Sequence, residues 1–417
     1  MEKYNNCVIG SRSVFPPRGL QETNIGIVHI SDINHYYTLN LSRKIENHLS
    51  KLTGAGTGDS VEDSMFLATM EAYERLANSI PVSQQVIASQ EELGDLAVPL
   101  SDFPKMNQSE TSSNGIEKKY LRWSESYNLT DQSRCYIPQV YINLYTHFNY
   151  NGEGLTHPIS TGCAIHQDYT RAVINGIYEV IERDGIALFW LLKRPLKKLD
   201  KQEFIDDLEI FSSPFLGKTT LYDASTINGV YTFCLRAETH FSESIRNVVM
   251  FSSNTCPKEA ISKLKKELIS VIYSLANGIE KQSNLLKQDP MSFYHVDEGA
   301  LYMAHPSKAY AFEFLNNSSK GSIPTNEIQF SSYGEELRYL IKKLEGLGHK
   351  VYVTNLSNRE CEENQLKAVK VTIPSLQPIS FVHSARFHDS KRVKTFAKEI
   401  YGYFSEDLIN PLPLPFS

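Results

Sequence analysis

An α+β fold is predicted for this chain of 417 residues from three observations. Three long stretches have helical apolar periodicity, several short runs are β-rich, and the two kinds do not alternate as βαβ units would. The first helix is VEDSMFLATMEAYERLANSI. Asp59 or Ser60 caps it, Glu62 and Asp63 place acid in its first turn, and Met65, Ala68, Ala72 and Leu76 form its apolar stripe. The second, TRAVINGIYEVIERDGIALFWLLK, has a broad stripe through Val173, Ile174, Ile177, Val180, Ile181, Leu188 and Phe189. The third, PKEAISKLKKELISVIYSLANG, begins at Pro257 and stops before Gly278, the usual places for those residues.

The strands are read next. Ile25 to Ile30 alternates, and CYIPQVYINLYTHF (135–148) reads as a strand with a proline near its start. TTLYDAS and VYTFCLRA pair through a turn at Asn228-Gly229, and KVYVTNL and AVKVTIP are β-rich. LTGAGTGD reads as a glycine-rich turn leading into the first helix. Residues 82–134, polar and with SETSSN at 109–114, read as a loop-rich insertion.

Composition narrows the class. Hydrophobic residues are 41% and charged residues 22%, as in ordinary globular proteins, and the net charge of −6 gives no basic footprint for nucleic acid. The amino terminus lacks a secretory apolar core, and no run approaches the roughly 18 apolar residues that span a bilayer. Six scattered cysteines without a CxxC pair fit reduced thiols rather than a zinc ribbon or a disulfide framework. A cytoplasmic protein away from membranes is expected. No internal repeat is visible.

The chemistry lies in the helices. Glu71 and Glu74 are i,i+3 on the first, and Glu179 and Glu182, followed by Arg183, repeat that spacing on the second. Lys263 and Glu267 are i,i+4 on the third. Carboxylate pairs in strongly apolar helices are costly without a compensating cation. Mg2+ prefers oxygen ligands, taking one or two carboxylates and completing its shell with water and phosphates. Arg183 and Lys263 suit phosphate oxygens. No GxxxxGK[ST] loop is present, so a P-loop site is excluded. Cys163 reads as a buried thiol, His166 as a loop histidine, and Phe189 and Trp190 as core; His383, His388 and Arg386 follow the late strand.

From about residue 50 to the carboxyl terminus the chain resembles the YcaO family, ATP-dependent enzymes that modify backbone amides of ribosomally made peptides. The family's glycine turn and Glu-x-x-Glu-Arg helix look like TGAGTGDSVEDSMFLATMEAYER. Its SNG block and following helix look like STGCAIHQDYTRAVINGIYEVIERD, and its Arg-x-x-x-Glu helix is similar to Lys263–Glu267. CYIPQVYINLY, LYDAS and VKVTIPSLQP are fainter matches. The departures are Ala55 for lysine, Leu67 for serine, Arg171 for a glutamate of some members, Cys256 for histidine, Lys263 for arginine and Ser270 for glutamine.

The resemblance implies a YcaO-like fold with mixed sheets and long helices around a central nucleotide cleft. Residues 51–417 would be the catalytic domain, and residues 1–50 a segment for partner docking or an edge strand. ATP and Mg2+ would be the cofactors. Glu71, Glu74, Glu179, Glu182 and Glu267 would bind the metal ions, with Gln167, Arg183, Lys263, Glu71 and Glu182 at the nucleotide.

The carboxyl end adds to this. Pro411, Pro413 and Pro415 alternate with leucines, which fixes an extended tail. It is either a frayed end or, as the PxPxP ending of azoline-forming members implies, a segment directed at the active site, with the Ser417 carboxylate as a base or an ordering group. The implied reaction is cyclodehydration of Cys, Ser or Thr in a ribosomal precursor peptide to thiazolines or oxazolines. The implied partners are that peptide, an E1-like or leader-binding protein and a flavin dehydrogenase, in an oligomeric complex. Thioamide or macroamidine formation and a non-catalytic scaffold are the alternatives.

Overall fold

The computed structural model describes residues 2–4, 7–14, 24–32, 52–79, 81, 84–106, 115–144, 149–200, 216–240, 242–324 and 328–416. In chain order the first half contains β1 (Glu2–Tyr4), β2 (Cys7–Val14), β3 (Asn24–Asp32), β4 (Leu52–Gly58), α1 (Val61–Ser79), β5 (Gln85–Ala88), β6 (Leu121–Asn128), β7 (Ser133–Pro138), β8 (Cys163–His166) and α2 (Tyr169–Leu191). Then come β9 (Lys197–Leu199), β10 (Lys218–Asp223), β11 (Tyr231–Glu238), β12 (Asn247–Asn254) and α3 (Pro257–Asn277). The last elements used below are β13 (Lys320–Gly321), α4 (Tyr333–Glu345), β14 (Tyr352–Asn355), β15 (Lys367–Thr372) and α5 (Lys391–Tyr401). The α+β class is as expected.

Three sheets result, ordered β1-β2-β3-β4, β12-β11-β10-β9-β13 and β5-β6-β14-β15-β8, with β7 also on β6. α2 lies between the last two. Its Val173, Ile177 and Ile181 share a core with Val369 and Val371 of β15, and its Ile186, Phe189 and Trp190 share another with Phe233 and Phe251. Helix and sheet on every side bury α2, which is why a charge on it demands a partner.

The glycine-rich segment is a strand rather than a turn. β4 pairs with β3 from Gly58↔Asn24 to Leu52↔Ile30, so that sheet runs across the expected division at residue 50. Gly54, Gly56 and Gly58 fall on one strand face, and that face lies directly on the backbone of α1. A Cβ at Gly56 would stand 2.3 Å from both Ala68 N and Ser64 O. Backbone cannot yield there, so Gly56→Ala is expected to cost about 1–3 kcal/mol or more and to lift α1 from β4. A melting temperature within a degree of wild type would contradict this contact. Ser60, one of the two expected caps, receives the Asp63 N–H at 3.0 Å.

Residues 82–134 are not a loop-rich insertion. They contain β5 and β6, with Leu121 and Trp123 fully buried and the Trp123 indole donating to the Ala88 carbonyl at 3.0 Å. The strand was masked by Arg122, Ser124, Glu125 and Ser126 between its apolar residues. Arg122 is held by Glu153 at 2.6 Å, and Ser126 by Thr354 at 2.7 Å. The SETSSN stretch itself lies outside the described residues. β7 ends rather than begins at its proline: Pro138 closes the strand, and a 3-10 turn follows at Gln139–Tyr141. The predicted hairpin is found, with β10 and β11 antiparallel and Gly229 at φ +89° in its turn.

Candidate functional site

Each functional helix is fixed by a neighbouring strand. β4 carries α1, β15 and β8 support the first half of α2, and α3 packs on β12. The three acidic faces therefore meet.

Glu71 accepts from the Ala55 amide at 2.6 Å and from Arg75 at 2.7 Å. Glu179 accepts from the Gly162 amide at 2.9 Å and from Arg183 at 3.2 Å. Glu182, only 3% exposed, accepts from the Ser253 amide at 3.1 Å and stands 3.5 Å from both Lys263 and Arg183. Among the described residues Glu74 and Glu267 have no hydrogen bond or ion pair. Burial, then the charges of Glu179 and Glu71, hold the Glu74 carboxyl well above the ordinary glutamate range. Burial also raises Glu267, with Lys263 opposing and Glu182 and Glu71 reinforcing the shift. Burial works against the Arg183 guanidinium, but Glu179, Glu182 and Glu267 keep its proton more tightly bound than usual.

The five glutamates are thus coupled electrostatically, with Arg183 between Glu179 and Glu182 and Lys263 beside Glu182. The row is anionic in excess. Arg183 Nη1 is buried and donates to nothing, although Glu182 is near. Among the described residues, no three His, Cys, Asp or Glu side chains are gathered closely enough to cage a metal unaided. Paired carboxylates together with an unused guanidinium donor fit Mg2+ carried on a polyphosphate, because that ion keeps waters and phosphate oxygens in its shell.

A family model described as YcaO cyclodehydratase, ATP- and Mg2+-binding, matches residues 55–377. The chain belongs to the YcaO family. ATP and Mg2+ are therefore the cofactors of its family.

Solved structures agree on the YcaO fold. A heterocyclase in complex with substrate and cofactor is 18% identical with a TM-score of 0.72, over 94% of this chain and 53% of its own. The chain therefore spans about half the length of that enzyme. YcaO from Methanopyrus kandleri bound with AMPPCP and Mg2+ is 16% identical with a TM-score of 0.65, over 89% of this chain and 86% of its own. The E. coli microcin synthetase McbBCD complex contains a chain 15% identical with a TM-score of 0.65, over 94% and 93%. No curated protein matches by sequence.

Other expected positions fall as follows in this YcaO chain. Gln167 is exposed just before Asp168, the cap of α2, and is not brought to the carboxylates. Glu179 lies ten residues into the helix, about 15 Å along its axis. Arg171 has a partner of its own, Glu336 on α4 at 3.2 Å, which Tyr178 also contacts. Cys163 is buried as expected, its thiol pushed up to about 12 by burial. Arg386 and His383 belong to the tail's setting. Arg386 donates to the Asn410 carbonyl, and burial beside Arg386 lowers His383 to about 4.

The tail is packed, not frayed. The Trp190 indole donates to the Leu412 carbonyl at 3.1 Å, and Pro413, Leu414 and Phe416 are buried while Pro411 is exposed and Pro415 half-buried. The Phe416 ring sits on the Arg183 guanidinium, 4.8 Å from its carbon to the ring centroid. Ser417 lies outside the described residues. Sequence reasoning missed the backbone donors of Ala55, Gly162 and Ser253, and also Lys370, whose charge acts on Glu74. Backbone donors leave no residue-type signal.

Proposed function

We propose that this chain is the amide-activating subunit of a peptide-heterocyclising synthetase. It would convert Cys, Ser or Thr of a ribosomally made precursor peptide to thiazolines or oxazolines with ATP and Mg2+. The observation that carries this reading is the convergence of Glu71, Glu74, Glu179, Glu182 and Glu267 beside Arg183 and Lys263. When bound, ATP with Mg2+ supplies the phosphoryl group that turns a poor leaving group, the amide oxygen, into a good one.

The chain's own residues position and neutralise. Gly162 and Ser253 amides orient Glu179 and Glu182 as ligands. Arg183 offers its unused Nη1, and Lys263, 46% exposed, offers an ammonium that Glu182 keeps protonated. We assign residues 51–417 as the catalytic domain. Phe416 holds Arg183 against the row, and the Ser417 carboxylate is kept as a base or ordering group only through the resemblance. Pro411, Pro413 and Pro415 keep the tail extended on that course. Gln167 is kept as a nucleotide contact only through the resemblance.

The precursor peptide, an E1-like or leader-binding protein and a flavin dehydrogenase are the partners we propose, in an oligomeric cytoplasmic complex. The McbBCD complex, also solved with pro-MccB17 bound, supports an assembly with precursor and partner subunits. No helix among the described residues is long and apolar enough to cross a membrane.

The test is mass spectrometry of a precursor peptide incubated with the chain, its partner and Mg-ATP, with loss of one water per ring expected. Truncation after Pro415 is expected to reduce ring formation at least ~10-fold while the folded fraction is kept, because Phe416 no longer packs on Arg183. Undiminished ring formation by the truncated chain would contradict the role given to the tail. Little effect of the truncation on a thioamide or amidine product would support that alternative chemistry.

A further inference from the structure

A cleft of about 90 Å3 opens between the stacked rings of Phe103 and Tyr141 and the end of β15. Its walls are mainly apolar, Val180 and Ile373 among them, and no Asp or Glu lines it. Two polar side chains from one face of β15 reach it. Lys370, 3% exposed, donates to the Ile159 carbonyl at 2.7 Å. Thr372, two residues on, has a buried hydroxyl oxygen with no hydrogen-bond partner. An orphaned hydroxyl beside a buried ammonium is costly in an apolar cleft, unless a ligand brings complementary polar groups.

Chain neighbours of the carboxylates line the cleft. Val180 adjoins Glu179, Thr161 adjoins the Gly162 amide that holds Glu179, and Lys370 acts on Glu74. Arg183 stands between Glu179 and Glu182, and Lys263 stands beside Glu182. Neither of these cations lines the cleft, so phosphates held by them leave its apolar walls for the peptide.

Resting on the function proposed above, we infer that this cleft is a peptide subsite. It takes an uncharged apolar side chain, aliphatic or aromatic, of the residue adjoining the reacting amide. Lys370 donates to that residue's backbone carbonyl, and the Thr372 hydroxyl pairs with its amide. An acidic side chain would add to a row already anionic, and a basic one would face Lys370.

The test uses fluorescein-labelled peptides Gly-Xaa-Cys-Gly, with Xaa as Phe, Leu, Lys or Asp, titrated by anisotropy with the full chain saturated in Mg-AMPPCP. The Phe and Leu peptides are expected to bind about 10-fold more tightly than the Lys and Asp peptides. Ile159→Trp, which narrows the cleft, should remove that difference. Thr372→Val, which keeps the shape, should weaken the Phe peptide about threefold. Both variants should bind Mg-AMPPCP as wild type does. Equal binding of all four peptides, or none, overturns the inference, as does an Ile159→Trp chain that loses Mg-AMPPCP rather than peptide. Failure of the parent proposal is distinguishable, because the precursor peptide incubated with the chain, its partner and Mg-ATP would then lose no water, whatever these four affinities are.

Discussion

Replacing Glu74 by glutamine is expected to stabilise the ligand-free protein and to abolish its ATP-dependent activity. Glu74 is half-buried beside Glu179 and Glu71 and has no ion pair among the described residues, so its carboxyl holds a proton more tightly than the ordinary value of 4.5. The folded chain therefore binds more protons than the unfolded chain above that value. Stability present at low pH is lost as pH rises from about 4.5 through the raised value. Glutamine removes the loss. The variant should melt about 1–4 °C above wild type at neutral pH, and the gap should close as pH falls below the ordinary glutamate range. Turnover should fall at least ~100-fold, since the metal-ligand role proposed for Glu74 places it where several kcal/mol of charge stabilisation are supplied. Thermal melts between pH 4 and 8 check the first half. A variant less stable than wild type at neutral pH would show that Glu74 has a cationic partner.

The second large effect lies one residue after Arg183. Asp184 is fully buried, bound by Arg392 of α5 at 2.7 and 3.0 Å, and accepts the Gln377 amide at 2.8 Å. Gln377 in turn donates to the Phe387 carbonyl at 2.7 Å and receives Ser390. This network ties α2 to α5 and to the segment after β15 that leads to the tail. Asp184→Ala leaves Arg392 largely buried without its partner and should cost about 3–5 kcal/mol in denaturant unfolding. Pairing Asp184→Leu with Arg392→Met should recover most of that, because an apolar pair restores volume without an isolated charge. A single-variant loss near zero would mean that water reaches Arg392.

Much of this was legible in the chain. The long helices announce themselves through apolar stripes, Ser60, Pro257 and Gly278, and the β10–β11 hairpin through Asn228-Gly229. The acidic residues could be grouped by helical spacing alone. What failed was strand recognition where polarity or glycine hides it. β6 carries polar residues among its apolar ones, and the partners of Arg122 and Ser126, Glu153 and Thr354, come from distant sequence. β4 looks like a turn because its glycines are required by close approach to α1, not by positive φ. Arg171, read only as a departure, proved to be matched by Glu336, 165 residues away. Such pairings are set by tertiary contact and leave no local pattern. The tail's proline spacing gave an extended chain, but only packing shows Phe416 against Arg183.

The glutamate row is expected to hold Mg2+ only together with a nucleotide, since no three of its ligands form a cage by themselves. Calorimetric titration of the wild-type chain with AMPPCP, with and without Mg2+, measures this directly. Binding at least ~10-fold tighter with Mg2+, and no detectable binding of Mg2+ alone, is the expected result. AMPPCP binding that is absent, or that is the same in excess chelator, would contradict the assignment of these five carboxylates.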